Sequence, residues 1–335
     1  MSKPNKPPSS KPSTFDLITS QITEALERGV VPWKMPWDRK AIRPKNVRGN
    51  FYRGINHFLL SFYSHFKGYS SPFWLTYKQA QEHGGNIKAG EKAMPVVFWK
   101  DLLIKNKDED SDQNTSLNPS QNQGHNSDQN PSHTIQPPSD DDLSPLPRIV
   151  RMIKHYHVFN IEQAEGVDIE LPSNEIAIRE FSPIEMAERI VSGYPNPPTI
   201  EYRGDMAVYN RQTDTVTLPP IEHFHSNEDY YDVLFHELGH STAHPTRLNR
   251  AFSKNEKERA MEELIAELTS AFLCAESGIS QSVIENEAAY IDNWLSYLKS
   301  DKTAFLVASG RAQKSADHIL NKTFTKTQTN KEEAA

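Results

Sequence analysis

Cysteine is nearly absent from this 335-residue chain, where Cys274 stands alone. No internal disulfide can form, and Cys274 lies in an apolar helical run, where it reads as a buried thiol. Long hydrophobic stretches are missing too: no run approaches the roughly 18 apolar residues that a membrane span needs. The opening stretch, MSKPNKPPSSKPSTF, lacks the apolar core of a secretory signal. Together these absences point to a cytoplasmic protein that does not engage membranes. Hydrophobic residues make up only 36% of the sequence, so part of the chain is expected to stay unpacked. The length still allows two domains, each with its own core.

Charge is distributed unevenly. Residues 1–105 hold 17 basic and 7 acidic side chains, whereas the remaining 230 residues hold 20 basic and 37 acidic ones. A basic half is the electrostatic footprint of a nucleic-acid binder, and the acidic half reads mainly as solvated surface and linker.

Periodicity and breakers divide the chain further. Phe15, Ile18, Ile22 and Ala25 recur at helical spacing up to Gly29. A second helix is expected from near Asn56, a third from near Thr76 to Gly84, and a strand over Met94–Lys100. Residues 106–147 contain eight acidic residues, one lysine and few apolar ones, too little to offset the entropy of ordering. This segment either separates two domains or sits at the tip of a hairpin formed by Met94–Lys100 and Ile149–Asn160. Ser182-Pro-Ile-Glu185 is a capping box that opens a helix to about Ser192. Short strands are expected at Thr199–Tyr202, Met206–Tyr209 and Thr215–Leu218, and then helices at 226–240, 257–277, 283–299 and 302–319. The organisation is therefore a disordered arm at 1–13, a small α+β unit at 14–105, a disordered segment at 106–147, a second domain at 148–325 and a disordered tail at 326–335. Strands followed by helices place the second domain in the α+β class.

The strongest chemical signal is His236-Glu237-Leu238-Gly239-His240. On a helix, positions i and i+4 share a face, so both imidazoles reach one ion, and Zn²⁺ accepts imidazole nitrogen readily. Glu237 falls beside the open position, where it serves as general base for the attacking water. A chance match on a surface helix is the bland alternative, and the apolar Val233 and Leu234 on a capped helix argue against it. The third ligand comes from elsewhere. Glu263, about 20 residues downstream on a following helix, has the gluzincin spacing, and His244 is its rival. Glu267, one turn on, suits the carboxylate that accepts from the other ring nitrogen of a ligand histidine. Glu262 points away toward solvent. The strands at 206–218 sit where zincins bind extended peptides by strand addition. His223, His225 and Tyr290 are weaker candidates for oxyanion stabilisation. The resident ion could be zinc or another divalent metal such as manganese.

The first domain suggests different chemistry. Four of the five tryptophans and 15 of the 32 aromatic residues fall in residues 1–105. Interleaved aromatic and basic side chains suit single-stranded nucleic acid, whose phosphates attract cations and whose unpaired bases stack. Phe58, Phe62 and Phe66 fall at helical spacing and belong to a core, as does Trp99 in its strand. The loop-like stretch supplies the DNA-binding candidates: Trp33, Lys34, Trp37, Arg39, Lys40, Arg43, Lys45, Arg48, Tyr52 and Arg53, with Phe51 beside them.

The stretches FDLITSQITEALERGVVPWKMPW (15–37), NFYRGIN (50–56), GYSSPFWLTYKQAQEHGG (68–85) and GEKAMPVVFWK (90–100) resemble the N-terminal domain of ArdC-type antirestriction proteins. HVFNIEQAEG (157–166), AVYNRQTDTVTLPP (207–220), HELGHSTAHPTRLNR (236–250) and EELIAELTSAFLCAE (262–276) resemble the zincin-like metallopeptidase domain of the same family. The resemblance implies a plasmid- or mobile-element-encoded protein that binds single-stranded DNA and protects incoming DNA from host restriction, typically during conjugation. It implies that the zinc domain is related to proteases acting on DNA-bound proteins, so a DNA-bound protein or the host restriction machinery would be a further partner. The same N-terminal type occurs in plasmid DNA primases, whose primase module this length does not accommodate. The insertion at 106–147 departs from the compact family pattern.

Two functions compete on these residues. In one, the first domain holds single-stranded DNA and the second cleaves a protein through Glu237. In the other, the chain coats single-stranded DNA without catalysis and the metal is structural. DNA mimicry by the acidic half ranks below both, because its acidic residues crowd into the insertion and ordinary helix faces.

Overall fold

The computed structural model describes residues 13–34, 43–104, 148–172, 182–250, 255–281 and 287–322. The segments read as disordered, 106–147 and 326–335, lie outside the described residues, as does the arm before Ser13. So do the DNA-binding candidates Trp37, Arg39 and Lys40. The chain forms two compact units, 1–98 with 154–335, and 99–153.

Local chemistry sets the helix ends. Ser13 caps α1 (Thr14–Glu27) by accepting from the Asp16 backbone N–H, and the Asp16 carboxylate accepts in return from the Ser13 N–H. Two short strands flank the next helix: β1 (Lys45–Asn46) precedes α2 (Gly54–Lys67), and β2 (Phe73–Thr76) follows it. α2 closes on Gly68, whose φ of 72° favours a residue without a Cβ. Thr76 and Gln79 form the capping box of α3 (Tyr77–Glu82). Then come β3 (Asn86–Ile87), β4 (Met94–Ile104), β5 (Arg148–Asn160) and β6 (Ala164–Glu165). The larger sheet has the order β1-β2-β5-β4, and β3 pairs with β6. β2 and β5 run antiparallel, with Trp74 opposite Asn160 and Thr76 opposite Val158. β4 and β5 are neighbours, as the hairpin alternative requires. Residues 148–160, counted with the second domain by sequence order alone, are hydrogen-bonded into this sheet. Among the described residues, the unit 99–153 consists of the outer lengths of β4 and β5.

The capping box at Ser182 starts α4 (Pro183–Ser192), with proline where no backbone donor is needed. β7 (Thr199–Tyr202), β8 (Val208–Asn210) and β9 (Thr215–Leu218) form a second sheet in the order β7-β9-β8. β9 is central, parallel to β7 and antiparallel to β8, so β8 is an edge strand. Four helices follow: α5 (Asn227–Ser241), α6 (Glu256–Ser277), α7 (Glu287–Ser300) and α8 (Ala304–Ile319). The fold is α+β, as expected.

α5, α6 and α8 pack together, with α4 against α6. α1, first in the chain, buries Ile18, Ile22, Ala25 and Leu26 and packs on α7 and α8. Phe58 is fully buried, but Phe66, assigned to the core by its spacing, is 59% exposed. It lies in the last turn of α2, stacked back on Phe62 with the Arg28 guanidinium 5.6 Å from its ring centre. Among the described residues, no helix is long and apolar enough to cross a membrane.

Candidate metal centre

Ser226 caps α5 by accepting from the Asp229 backbone N–H. His236 and His240 stand one turn apart with their Nε2 atoms separated by 3.1 Å. α6 crosses α5 closely at Gly239. A Cβ there would lie 3.1 Å from the Ala266 Cα and 3.3 Å from its carbonyl oxygen. Ala266 is three residues past Glu263, so the near-contact brings Glu263 over the histidines. Its Oε2 lies 3.5 Å from His236 Nε2 and 3.4 Å from His240 Nε2. Bonds of about 2.0–2.1 Å to a tetrahedral ion give ligand–ligand edges of about 3.3 Å, so these three donors fit a divalent metal. Among the described residues, no other trio of His, Cys, Asp or Glu converges this way. His244, the rival ligand, turns its Nδ1 to Thr246 Oγ1 at 2.8 Å.

Charge is arranged around the trio. Hydrogen bonds from His236 and then His240 hold the Glu263 carboxyl well below the usual carboxylate range. Burial disfavours charge on His240, but the Glu262 and Glu263 carboxylates and the Glu237 charge carry it up to about 10 with no ion bound. Glu262, read from sequence as solvated, is buried. Its Oε1 sits 3.6 Å from His240 Nδ1, and Arg250 engages both of its oxygens. Arg250 also donates to the Gly239 carbonyl at 3.1 Å and to Ser315 Oγ at 2.9 Å, which ties the end of α5 to α8. The carboxylate behind the His240 ring is therefore Glu262, while Glu267 faces Lys34 at 3.5 Å. Successive helical residues point about 100° apart, so one turn of α6 presents Glu263 to Nε2 and Glu262 to Nδ1. A glutamate pair within one turn does not reveal this rotation in a single sequence. The Arg250 partner, ten residues past His240, carried no recognisable signal.

Glu237 is buried and lines a cleft of 610 Å³ with both histidines and Glu263. β8 forms another wall through Val208, Tyr209 and Asn210. That edge strand is anchored. The Tyr209 hydroxyl donates to Asp214 at 2.9 Å, and Arg247 makes two 2.8 Å bonds to the same carboxylate while reaching the Ser241 carbonyl at the end of α5. His223 and His225 are exposed and do not line the cleft. Tyr290 accepts from Trp33 Nε1 at 3.1 Å and is likewise outside it.

The DNA-binding candidates divide. Trp33 has no exposed surface and packs against Trp294 and Phe305. Lys34 pairs with Asp232 and Glu267, Arg43 with Glu276, and Arg53 with Asp317. Tyr52 is half-buried, and burial pushes its phenol up. Trp33, Lys34, Arg43 and Arg53 are thus engaged by partners about 200 residues or more away, and the Arg43 side chain is still 39% exposed. Arg48 is exposed, and Lys45 lies over the rings of Phe51 (4.8 Å) and Phe73 (5.9 Å). Phe51 itself is 45% exposed.

Comparison with known proteins agrees with this layout. Residues 13–159 match the N-terminal domain of anti-restriction factor ArdC, and residues 186–311 match a zincin-like metallopeptidase domain. The protein y4eC of Sinorhizobium fredii (strain NBRC 101917 / NGR234) is 32% identical over 319 residues, covering 93% of each chain. A DNA primase TraC of Escherichia coli is 31% identical over 314 residues, and this chain spans only 26% of its length. The crystal structure of the antirestriction ArdC protein from plasmid R388 in its metal-free form superposes with a TM-score of 0.65 at 28% identity, covering 93% of this chain and all of that one. Its Mn(II)-bound form gives 0.64 at 29% identity, covering 92% and 97%. With both halves matched in order and the relationship running nearly end to end, the chain belongs to the ArdC-type antirestriction proteins.

Proposed function

We propose that this protein binds single-stranded DNA through its N-terminal half and acts as a metal-dependent peptidase on a DNA-bound protein, protecting incoming DNA from host restriction. The observation that carries the reading is the convergence of His236, His240 and Glu263 beside buried Glu237, in a cleft walled by an edge strand. Those three side chains would hold zinc or manganese, which when bound supplies Lewis acidity to the scissile carbonyl. Glu237 takes the proton of the attacking water and returns it to the leaving amine. β8 offers unpaired backbone groups to an extended peptide, which aligns the scissile bond along the cleft. Cytoplasmic action and the division into a DNA-binding domain and a peptidase domain belong to the same proposal. The experiment that tests it is protection of incoming DNA in restricting cells, native protein against Glu237→Gln.

On the DNA side, among the described candidates Arg48 and Phe51 are exposed and Lys45 is partly so. Replacing Lys45 and Arg48 by alanine is expected to weaken single-strand binding and to reduce the slope of log affinity against log salt by about 1.4, roughly 0.7 per phosphate contact. Fluorescence anisotropy of a labelled oligonucleotide across a salt series checks this; an unchanged slope would place the DNA path elsewhere.

On the metal side, His240 must lose its proton to bind an ion. Because its value is raised to about 10, the ring is charged at neutral pH, so metal binding releases a proton and apparent affinity rises with pH toward that value. Calorimetric titration with Zn²⁺ in two buffers of different ionisation enthalpy is expected to report about one proton released from this ring per ion near pH 7. Zero release at that pH would mean that the ring is already neutral there, against the direction in which the neighbouring carboxylates push it.

A further inference from the structure

Lys34, outside the zincin-like match, pairs with carboxylates one turn away from the candidate metal ligands. Its ammonium lies 3.4 Å from Asp232 on α5 and 3.5 Å from Glu267 on α6. Asp232 is one turn before His236, and Glu267 is one turn after Glu263. The lysine therefore bridges the two ligand-bearing helices directly beneath the point where their ligands meet.

Its surroundings make the bridge stiff. Asp232 is buried and accepts from Ser270 Oγ at 2.6 Å and Gln281 Nε2 at 3.1 Å. Trp33, the preceding residue, is fully buried and hydrogen-bonded to Tyr290, so the backbone that presents Lys34 is fixed. Without the ammonium, two carboxylates would face each other in the interior, and like charges in a poorly solvated space repel strongly. Spreading the helices there would be felt one turn away, a rise of about 5.4 Å, where the ligand atoms must hold their separations within a few tenths of an ångström.

We infer that Lys34 is a positioning residue for the metal centre: by clamping Asp232 and Glu267 it sets the helix spacing at which His236, His240 and Glu263 converge. A residue of the N-terminal region thereby completes a site whose ligands all lie in the second domain. The inference rests on the reading that the trio binds a metal.

The test uses the full chain. Lys34→Met keeps the alkyl stem and removes the charge. Zn²⁺ affinity, measured by competition with a chromophoric chelator, is expected to fall about 10- to 100-fold, as when other groups supporting metal ligands are removed. The visible absorption of the Co²⁺-loaded protein, which reports coordination geometry, is expected to change in position and intensity. Adding Glu267→Gln to Lys34→Met removes the repelling pair and is expected to recover most of the affinity. Should Lys34→Met fail to fold, Glu267→Gln alone, an isosteric change that breaks one arm of the clamp, is expected to shift the same Co²⁺ spectrum. Folded variants with native Zn²⁺ affinity and an unaltered Co²⁺ spectrum would overturn the inference. A native protein that binds neither ion would overturn the metal reading beneath it.

Discussion

Glu237→Gln is expected to reduce restriction protection to background while single-stranded DNA binding stays at the native level. The substitution preserves shape and hydrogen-bonding reach but removes the group that takes a proton, and general-base catalysis of this kind contributes about 10²- to 10⁴-fold. Glu237 is 7% exposed and lies among the residues of the cleft, so little else in the fold depends on its charge apart from the field at His240. Metal content should therefore be measured alongside, by atomic absorption of the purified protein, to confirm that the variant still carries its ion. Loss of protection with DNA and metal both bound would make proton transfer the function and open the search for a protein substrate. Full protection by the variant would leave a coat of single-stranded DNA in which the ion staples α5 to α6.

Trp33→Ala is expected to unfold the protein more readily and leave DNA affinity intact wherever the fold survives. A fully buried tryptophan replaced by alanine costs about 3–5 kcal/mol. Here the loss includes the hydrogen bond to Tyr290, the edge-on contact with Trp294 at 6.1 Å and the contact with Phe305 at 5.2 Å. In a protein of this size that corresponds to a fall in melting temperature on the order of 10 °C. Thermal unfolding followed by near-ultraviolet circular dichroism gives the stability, and anisotropy at low temperature gives the DNA affinity. An unchanged melting temperature with lost DNA binding would return Trp33 to the DNA surface and contradict its burial.

These two residues mark opposite limits of what the sequence discloses. HExxH on a capped helix specifies a face, because the 3.6-residue period places His236 and His240 together whatever else the chain does. Ser182 and Glu185 fix the start of α4, and Thr199–Tyr202 and Thr215–Leu218 form strands with the expected bounds. Trp33, Lys34, Arg43 and Arg53 were different. Aromatic and basic residues between prolines look like a nucleic-acid surface until their partners are known. Those partners, Tyr290, Asp232, Glu276 and Asp317, are separated from them by 198 to 264 positions, and no local pattern links them. The Glu262–Glu267 exchange has a related cause. Periodicity gives the face of α6 but not its rotation against α5, which the near-contact at Gly239 decides.

The packing of α1 has a consequence for how the molecule is made. Its apolar face is covered by α7 and α8, with Thr19 bonded to the Lys302 carbonyl 283 positions away. A ribosome adding about 5–20 residues per second therefore holds the first helix without its cover for roughly tens of seconds. Ile18, Ile22 and Leu26 stay open to chaperones or to other nascent chains for that interval, and the N-terminal helix is among the last to dock. The helix made early thus waits for partners made about 280 residues later.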